Sequence, residues 1–331
     1  MREEKAMIFD AITSLTFSTI GKLLGMALAI LIVAILAISI IDKLFKYFGY
    51  RYSPLRVQRG ELIKKKMFKC SDVYELKWNG EINKKGTHIL LYIHDFVGDR
   101  NDANKMMGWF AKKDDKYSVV SYDQRWCGAN VVDRDRNYGA NLSDLKEIIY
   151  DLHDRFKNQK LILVGHGFGA ALAMACAHEE GVATVVAGSL KIKEGYKKPF
   201  ATRSRIFWSW IFSAKSVIEY PYDAPDLTDD VAFVKELQKK QGAQDAYSVR
   251  EYYQTRHLYK YGIKKYNHNH SENLIVLQPD KSIYASPDKF AKIAANINGA
   301  KIEPVKQCKH HLFNTTSSEA TFEKIYNLIK N

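Results

Sequence analysis

Residues 165–169 of this 331-residue chain, Gly-His-Gly-Phe-Gly, have the spacing of a turn that presents a catalytic nucleophile. The apolar run Leu161–Val164 precedes them, and an alanine-rich helical pattern follows. In the motif Gly-x-Ser-x-Gly, a strand, a sharp turn and a helix expose a serine hydroxyl. Here the central position is Gly167, which has no side chain that could attack a substrate.

An acid and then a histidine follow this turn along the chain. Asp280 follows an apolar strand pattern, and His310 lies near the C-terminus. A serine hydroxyl becomes a useful nucleophile only when a histidine accepts its proton, and an acid orients that histidine. We therefore expect Asp280 as the acid and His310 as the base, with His311 as the alternative base. Pro279-Asp280 also suits a simple turn, and His310 also suits a surface position beside His311.

Alternating strands and helices must position these groups. Helical patterns such as Asn141–Lys157 and Gly169–His178 separate short apolar strand patterns. The predicted strands are Thr87–His94, Tyr117–Asp123, Lys160–Gly165, Val182–Gly188 and Asn273–Gln278. Such alternation predicts a parallel sheet with helices on both faces, and sites in these sheets form at the carboxyl ends of strands.

Three further motifs resemble the α/β-hydrolase family, in its monoacylglycerol lipase and lysophospholipase (serine aminopeptidase S33-like) branch. His94-Asp95-Phe96 resembles the His-Gly-x oxyanion turn, and residues 123–128 (DQRWCG) resemble Asp-x-Arg-Gly-x-Gly. Residues 309–314 (KHHLFN) resemble the His-Glu-Leu-x-Asn segment. The resemblance covers roughly residues 70–331. It implies the α/β-hydrolase fold, with a mostly parallel sheet and a helical cap at about residues 191–270.

The same resemblance assigns roles around the turn. Gly167 stands at the nucleophile position, between the elbow residues Gly165, His166 and Gly169. The oxyanion donors are the backbone N–H groups of Phe96 and Phe168. The chain departs from the family pattern in having Asp95 where the oxyanion turn has glycine. An inward carboxylate there opposes a developing oxyanion.

Glycine at the elbow is compatible with the fold, because it tolerates a strained backbone, but it removes covalent catalysis. A water activated by the histidine is one substitute nucleophile, and Ser189 is the nearest candidate for a displaced one. Residues 165–170 also fit the dinucleotide fingerprint Gly-x-Gly-x-x-Ala. The acid expected at the end of the next strand is missing, so we expect no cofactor. We expect no metal either, because His268 and His270 are interpreted as a solvated loop.

A charge-free run, Leu23–Ile41, predicts a transmembrane anchor. At ~1.5 Å per residue it is roughly 29 Å long, which matches a hydrocarbon core. We divide the chain into a tail (residues 1–21), an anchor (22–42), a basic linker (43–69) and an α/β-hydrolase domain (70–331). Lysines and arginines are richer after the anchor, which favours a cytoplasmic main domain of a single-pass membrane protein.

The formal charge of +13 has no nucleic-acid-binding motif beside it, so an anionic membrane is the expected partner. The four cysteines have no paired spacing, which indicates neither a zinc module nor a disulfide framework. The sequence predicts a membrane-anchored, lipase-like pseudoenzyme of lipid metabolism that binds an acyl or lipid ligand. An active carboxylic ester hydrolase and a protein-interaction scaffold are the alternatives.

Overall fold

The computed structural model describes residues 2–47, 60–63, 66–130, 138–190, 200–213, 215–219, 222–243, 246–269, 272–284 and 287–330. The chain divides into two compact units, Met1–Gly49 and Tyr50–Asn331. The first unit is one helix, α1 (Arg2–Tyr47).

Helix α1 contains the predicted anchor. Its stretch Ser18–Ile41 has 24 residues and a mean hydropathy of 3.0. About 20 apolar residues suffice to cross a hydrocarbon core. The helix is therefore long and apolar enough to span a membrane, although an N-terminal signal sequence or the core helix of a soluble protein has the same features. The helix also includes most of the expected tail and continues to Tyr47.

The second unit is built on a large sheet. Its strands are β1 (Glu61–Ile63), β2 (Met67–Lys69), β3 (Glu75–Asn79), β4 (His88–Ile93), β5 (Tyr117–Tyr122), β6 (Lys160–His166), β7 (Val182–Gly188), β10 (Leu274–Pro279) and β11 (Lys301–Val305). Their spatial order is β1-β2-β3-β5-β4-β6-β7-β10-β11. Pairing is parallel from β5 to β11 and antiparallel from β1 to β5. Parallel neighbours require crossover connections, which bring helices onto the faces of the sheet.

Helices and a small cap complete this unit. The helices outside the cap are α2 (Asn104–Lys113), α3 (Tyr138–Arg155), α4 (Phe168–Ala175), α9 (Pro287–Ala294) and α10 (Ser318–Ile329), with a 3₁₀ helix at Arg100–Ala103. The cap contains α5 (Phe200–Phe212), α6 (Ala224–Leu227), α7 (Val231–Ala243), α8 (Val249–His268) and the antiparallel pair of β8 (Val217–Glu219) with β9 (Ala246–Ser248).

The central strands are buried on both faces, as their continuous apolar runs predict. In β6, Leu161 and Leu163 join the core on one face, whereas Ile162 and Val164 join the core on the other. This alternation follows from the two-residue period of a strand. The polar residues of the predicted site instead lie at the carboxyl ends of β4, β6 and β10.

One part of the sheet lies in the stretch assigned to the linker. Residues 61–63 form β1 at the edge of the sheet, and residues 67–69 form β2 beside it. Their short hairpin pairs with β3 through contacts such as Phe68 with Leu76. Strands of three residues carry too little alternation to stand out in a sequence.

Candidate active site

The predicted elbow lies between β6 and α4. Gly167 has φ 52° and ψ −111°, a backbone conformation that glycine adopts without strain. Close packing also excludes larger residues on both sides of it. A Cβ on Gly165 would lie 2.4 Å from the carbonyl oxygen of Gly169, and one on Gly169 would lie 2.1 Å from that of Ile93. The strand–turn–helix geometry of a nucleophile elbow is therefore present.

The carboxylate of Asp95 occupies the space beside Gly167. A Cβ built on Gly167 would lie 2.3 Å from both Cγ and Oδ1 of Asp95. The Oδ1 atom accepts a hydrogen bond of 2.7 Å from the backbone N–H of Phe168. This N–H is one of the two expected oxyanion donors. Asp95 thus fills the volume of a nucleophile and engages the group that would stabilise an oxyanion.

The other oxygen of Asp95 faces His310. Nε2 of His310 lies 3.0 Å from Oδ2 of Asp95, and the imidazole is only 1% exposed. Burial raises the pKa of Asp95, but the hydrogen bond and charge of His310, with His166 and His311 nearby, hold that pKa well below its usual range. Asp95 is therefore an ionised carboxylate held between a backbone N–H and an imidazole.

The structure does not bring Asp280 to His310. Asp280 is exposed, and its carboxylate accepts hydrogen bonds from the backbone N–H groups of Gln307 (3.0 Å) and Cys308 (3.2 Å). Gln307 has a φ of 55°, so Asp280 stabilises a tight turn after β11. Within the described residues, Nδ1 of His310 instead faces Oγ of Ser282 at 3.4 Å. This geometry fits the turn interpretation of Asp280, and its role as an acid stays a prediction.

His310 is held in place through its backbone. Its carbonyl oxygen accepts hydrogen bonds from Oγ of Ser189 and from Nε2–H of His166, the latter at 3.0 Å. Ser189 is buried at the end of β7 and has a φ of 55°. The hydroxyl of Ser189 therefore positions the histidine loop, which argues against its use as a displaced nucleophile.

The two neighbouring histidines are buried, and burial lowers the pKa of both. Burial and the charge of His310 lower the pKa of His166 to about 4. Burial also lowers the pKa of His311 well below its usual range. His311 packs against His166 and Phe233, with ring centroids 4.7 and 5.2 Å away. Of the two candidate bases, His310 is the one that contacts the Asp95 carboxylate.

The Asp95 turn is supported by His94 and Gln124, to which the sequence motifs assign no individual role. Nε2 of His94 accepts a hydrogen bond of 3.0 Å from the N–H of Gln124, so Nδ1 carries the proton. Nδ1 donates it to the backbone carbonyl of Asp95 at 2.6 Å. The side-chain amide of Gln124 donates to the carbonyl of His94 at 2.6 Å. Gln124 belongs to the DQRWCG motif, which was the available signal for this contact.

The other expected oxyanion residue, Phe96, contributes packing. Its ring lies edge-on to the rings of Phe168 and Tyr138, with centroids 6.4 and 6.0 Å away. All three residues are buried. The role of the Phe96 N–H stays a prediction.

An ion-pair cluster ties the cap to the residues after the Asp95 turn. Nζ of Lys240, on α7, lies 3.0 Å from Asp99 and 2.6 Å from Asp102. Burial raises the pKa of Asp102 to about 7, although Lys240 acts in the opposite direction. Burial lowers the pKa of Lys240, but the two carboxylates outweigh it and leave the pKa raised. This cluster joins the cap to the body beside the site.

The described residues contain no group of three His, Cys, Asp or Glu side chains placed to hold a metal ion. His268 lies at the C-terminal end of α8, and His270 falls outside the described residues. The interpretation of both as a solvated loop stays a prediction.

Comparisons with known proteins agree with this architecture. The sequence model of a family described as "Alpha/beta hydrolase family" matches residues 96–323. No curated protein matches the chain. Similar solved structures include a soluble variant of monoglyceride lipase from Saccharomyces cerevisiae in complex with a substrate analogue. That structure has a TM-score of 0.65 and 16% identity, and the match covers 84% of this chain and 97% of that one.

Two further structures show the same likeness. Monoacylglycerol lipase from Paleococcus ferrophilus has a TM-score of 0.58 and 15% identity, with 77% of this chain and 98% of that chain covered. A lipase in its open form has a TM-score of 0.63 and 12% identity, with 79% and 96% covered. At these identities the likeness shows the fold alone. Together with the family match, it confirms the predicted fold class.

Proposed function

Because the chain belongs to the alpha/beta hydrolase family, we propose that it is a membrane-anchored, lipase-like member that lacks serine-dependent ester hydrolysis and binds an acyl or lipid ligand. The branch we favour is the monoacylglycerol lipase and lysophospholipase type. The main domain lies on the cytoplasmic side, in keeping with the lysines and arginines that follow the apolar helix. Protease added outside intact cells then leaves the domain undigested.

One observation carries the loss of serine chemistry. Gly167 offers no hydroxyl, and the Asp95 carboxylate lies 2.3 Å from where its Cβ would be. A substrate carbonyl oxygen in the usual place would also meet a carboxylate already bound to the Phe168 N–H. Two negative groups competing for one donor oppose the oxyanion of ester hydrolysis. Both the nucleophile and its electrostatic support are therefore replaced.

The ligand class is supported by the lipase-like architecture and by the cap. Among the solved structures similar to this chain, several are lipases, and one of them holds a substrate analogue. In this chain four cap residues, Ala224, Leu227, Phe233 and Leu237, form a buried apolar cluster with Tyr284, which follows β10. Apolar walls beside a few polar groups are the usual composition of a small-molecule site.

Hydrolysis of a monoacylglycerol by the full chain in detergent micelles tests this proposal. The set of proteins is the unmodified chain, His310→Ala, Gly167→Ser, Gly167→Ser with Asp95→Gly, and that double variant with His310→Ala. We expect turnover only from the double variant, because it restores the hydroxyl and removes the carboxylate. Turnover by the unmodified chain that is lost on His310→Ala overturns the proposal.

Ligand binding needs its own measurement. A non-hydrolysable ether analogue of a monoacylglycerol is titrated into the unmodified chain, with free glycerol as the control. We expect saturable binding of the ether and none of glycerol. If neither binds while the fold is intact, the acyl-ligand part of the proposal is wrong and the scaffold alternative takes its place.

A second function has one specific observation in its favour. The contact of 3.0 Å between Asp95 and His310 is a carboxylate–imidazole pair, which is able to activate a water molecule. In that case the unmodified chain is an active ester hydrolase without a serine. Two substitutions distinguish the two functions. If the unmodified chain is a serine-independent hydrolase, Asp95→Asn and His310→Ala each abolish its turnover.

A further inference from the structure

The cap carries an unusual aromatic surface on α5. Among the described residues of the second unit, the large apolar side chains that are most exposed include Phe200 (80%), Trp208 (53%) and Phe212 (68%), all on this helix, together with Phe207. The rings of Trp208 and Phe212 stack on each other 5.9 Å apart. We call these four residues the outer face of α5.

The opposite side of α5 is packed, which fixes the direction of the outer face. Ile206 is buried, and the ring of Trp210 lies 5.3 Å from that of Tyr253 on α8. The helix therefore has one face in the core of the cap and another that presents aromatic rings to its surroundings. Exposed aromatic patches of this kind mark interaction sites more often than accidental exposure.

The charges on α5 indicate what covers the outer face. Arg203 and Arg205 are exposed, and the helix, FATRSRIFWSWIF, has no acidic residue. Aromatic rings with arginines beside them suit the boundary between lipid head groups and acyl chains, where the rings insert and the guanidinium groups meet phosphates. Protein interfaces are also rich in aromatic residues and arginine. The apolar helix Ser18–Ile41 of the same chain is the observation that favours a bilayer over a protein partner here.

We propose that the outer face of α5 docks the cap onto an anionic bilayer. The proposal rests on the membrane anchoring in the proposed function, because the helix Ser18–Ile41 keeps a covalently joined domain near the bilayer that it spans. Phe200, Trp208 and Phe212 enter the interfacial layer, and Arg203 and Arg205 contact acidic head groups. The net charge of +13 favours the same surface.

Tryptophan fluorescence of the full chain in proteoliposomes tests the docking. The vesicles contain phosphatidylcholine with about a third phosphatidylserine, and brominated acyl chains act as the quencher. We expect quenching that Trp208→Phe removes almost completely and that Trp210→Phe leaves in place. Trp210 is the matched control, because it lies two positions away on the packed side of the same helix. Arg203→Gln with Arg205→Gln reduces the quenching several-fold in anionic vesicles and has little effect in neutral ones.

Docking and anchoring fail in different ways. Alkaline carbonate extraction reports only whether the chain is anchored. Quenching that does not depend on Trp208 overturns the docking, whether or not the chain resists extraction. Absence of quenching also overturns the docking. Cross-linking between two copies through position 208 then identifies a second copy as the occupant. Release by carbonate with Trp208-dependent quenching retained overturns the anchor and leaves the docking in place.

Discussion

The carboxylate of Asp95 stands where a side chain on Gly167 would be, 2.3 Å from the position of its Cβ. The two residues lie on different turns, after β4 and after β6, and the parallel pairing of these strands brings them together. The two residues are sterically complementary, because Gly167 has no side chain and the Asp95 carboxylate occupies the space that a side chain would need.

Gly167→Ala is expected to lower the free energy of unfolding by about 2–4 kcal/mol, through strain at positive φ and overlap with Asp95. In an Asp95→Gly background Gly167→Ala destabilises the protein less, because the overlap with the carboxylate is gone. We expect a coupling free energy between the two sites of about 1–3 kcal/mol. Urea unfolding of the four proteins measures it. Gly181→Ala, also at positive φ, is the control whose cost is independent of Asp95. Equal costs for Gly167→Ala in both backgrounds contradict the placement of Asp95.

Asp95→Asn keeps the shape and removes the charge opposite His310. Because the pKa of Asp95 is lower in the folded protein, its ionisation contributes stability above the ordinary value of about 3.9, and this contribution is lost as the pH falls below it. The variant is expected to be less stable by about 2–3 kcal/mol at pH 7. The difference shrinks below about pH 4. A difference that stays constant down to pH 3 speaks against an ionised Asp95.

His166 gives a pH dependence of the same sign, over a higher pH range. Its pKa is lowered to about 4 in the folded protein, so the unfolded chain binds a proton first as the pH falls, and stability is lost between about pH 6.5 and 4. His166→Gln retains a donor for the His310 carbonyl and removes this titration. The variant is expected to lose up to about 3 kcal/mol less stability over that range, as followed by chemical unfolding at several pH values. Parallel pH profiles for the two proteins are the contrary result.

Lys240→Met leaves Asp99 and Asp102 without their cation. The free energy of unfolding is expected to fall by about 3–5 kcal/mol near pH 8, as it does when one partner of a buried ion pair is removed. The loss is smaller at pH 5, because Asp102, with a pKa of about 7, is then neutral. Lys239→Met is the matched control, since the neighbouring lysine is exposed. Similar, pH-independent effects of both substitutions count against the ion-pair cluster.

The strands of the central sheet could be predicted because they are short, apolar and bounded by polar turns, and the elbow because its glycines have a fixed spacing. The edge strands β1 and β2 could not, since three residues show no clear period. The role of His310 as a base rests on its motif and stays a prediction. Its contact with Asp95 could not be predicted, because the distance between the two residues is set by the packing of two separate turns.

Asp280 shows a different limit of sequence reasoning. Its place after β10 suits both an acid and a turn residue. Its hydrogen bonds from the backbone of Gln307 and Cys308 fit the turn interpretation, and the acid role stays a prediction. The hydroxyl of Ser189 is ambiguous in the same way in the sequence, whereas in the structure it donates a hydrogen bond to the His310 carbonyl. Long-range polar contacts of this kind leave no periodic signal in a sequence.

Labelling with a fluorophosphonate probe tests the central claim most directly, because the probe reacts only with an activated serine. The full chain, Gly167→Ser, and Gly167→Ser with Asp95→Gly are compared, with the modified peptide identified by mass spectrometry. We expect no labelling of the unmodified chain, little of the single variant, and strong labelling at position 167 of the double variant. Labelling of the unmodified chain, or equally fast labelling of the single and double variants, contradicts the account in which Asp95 replaces the nucleophile.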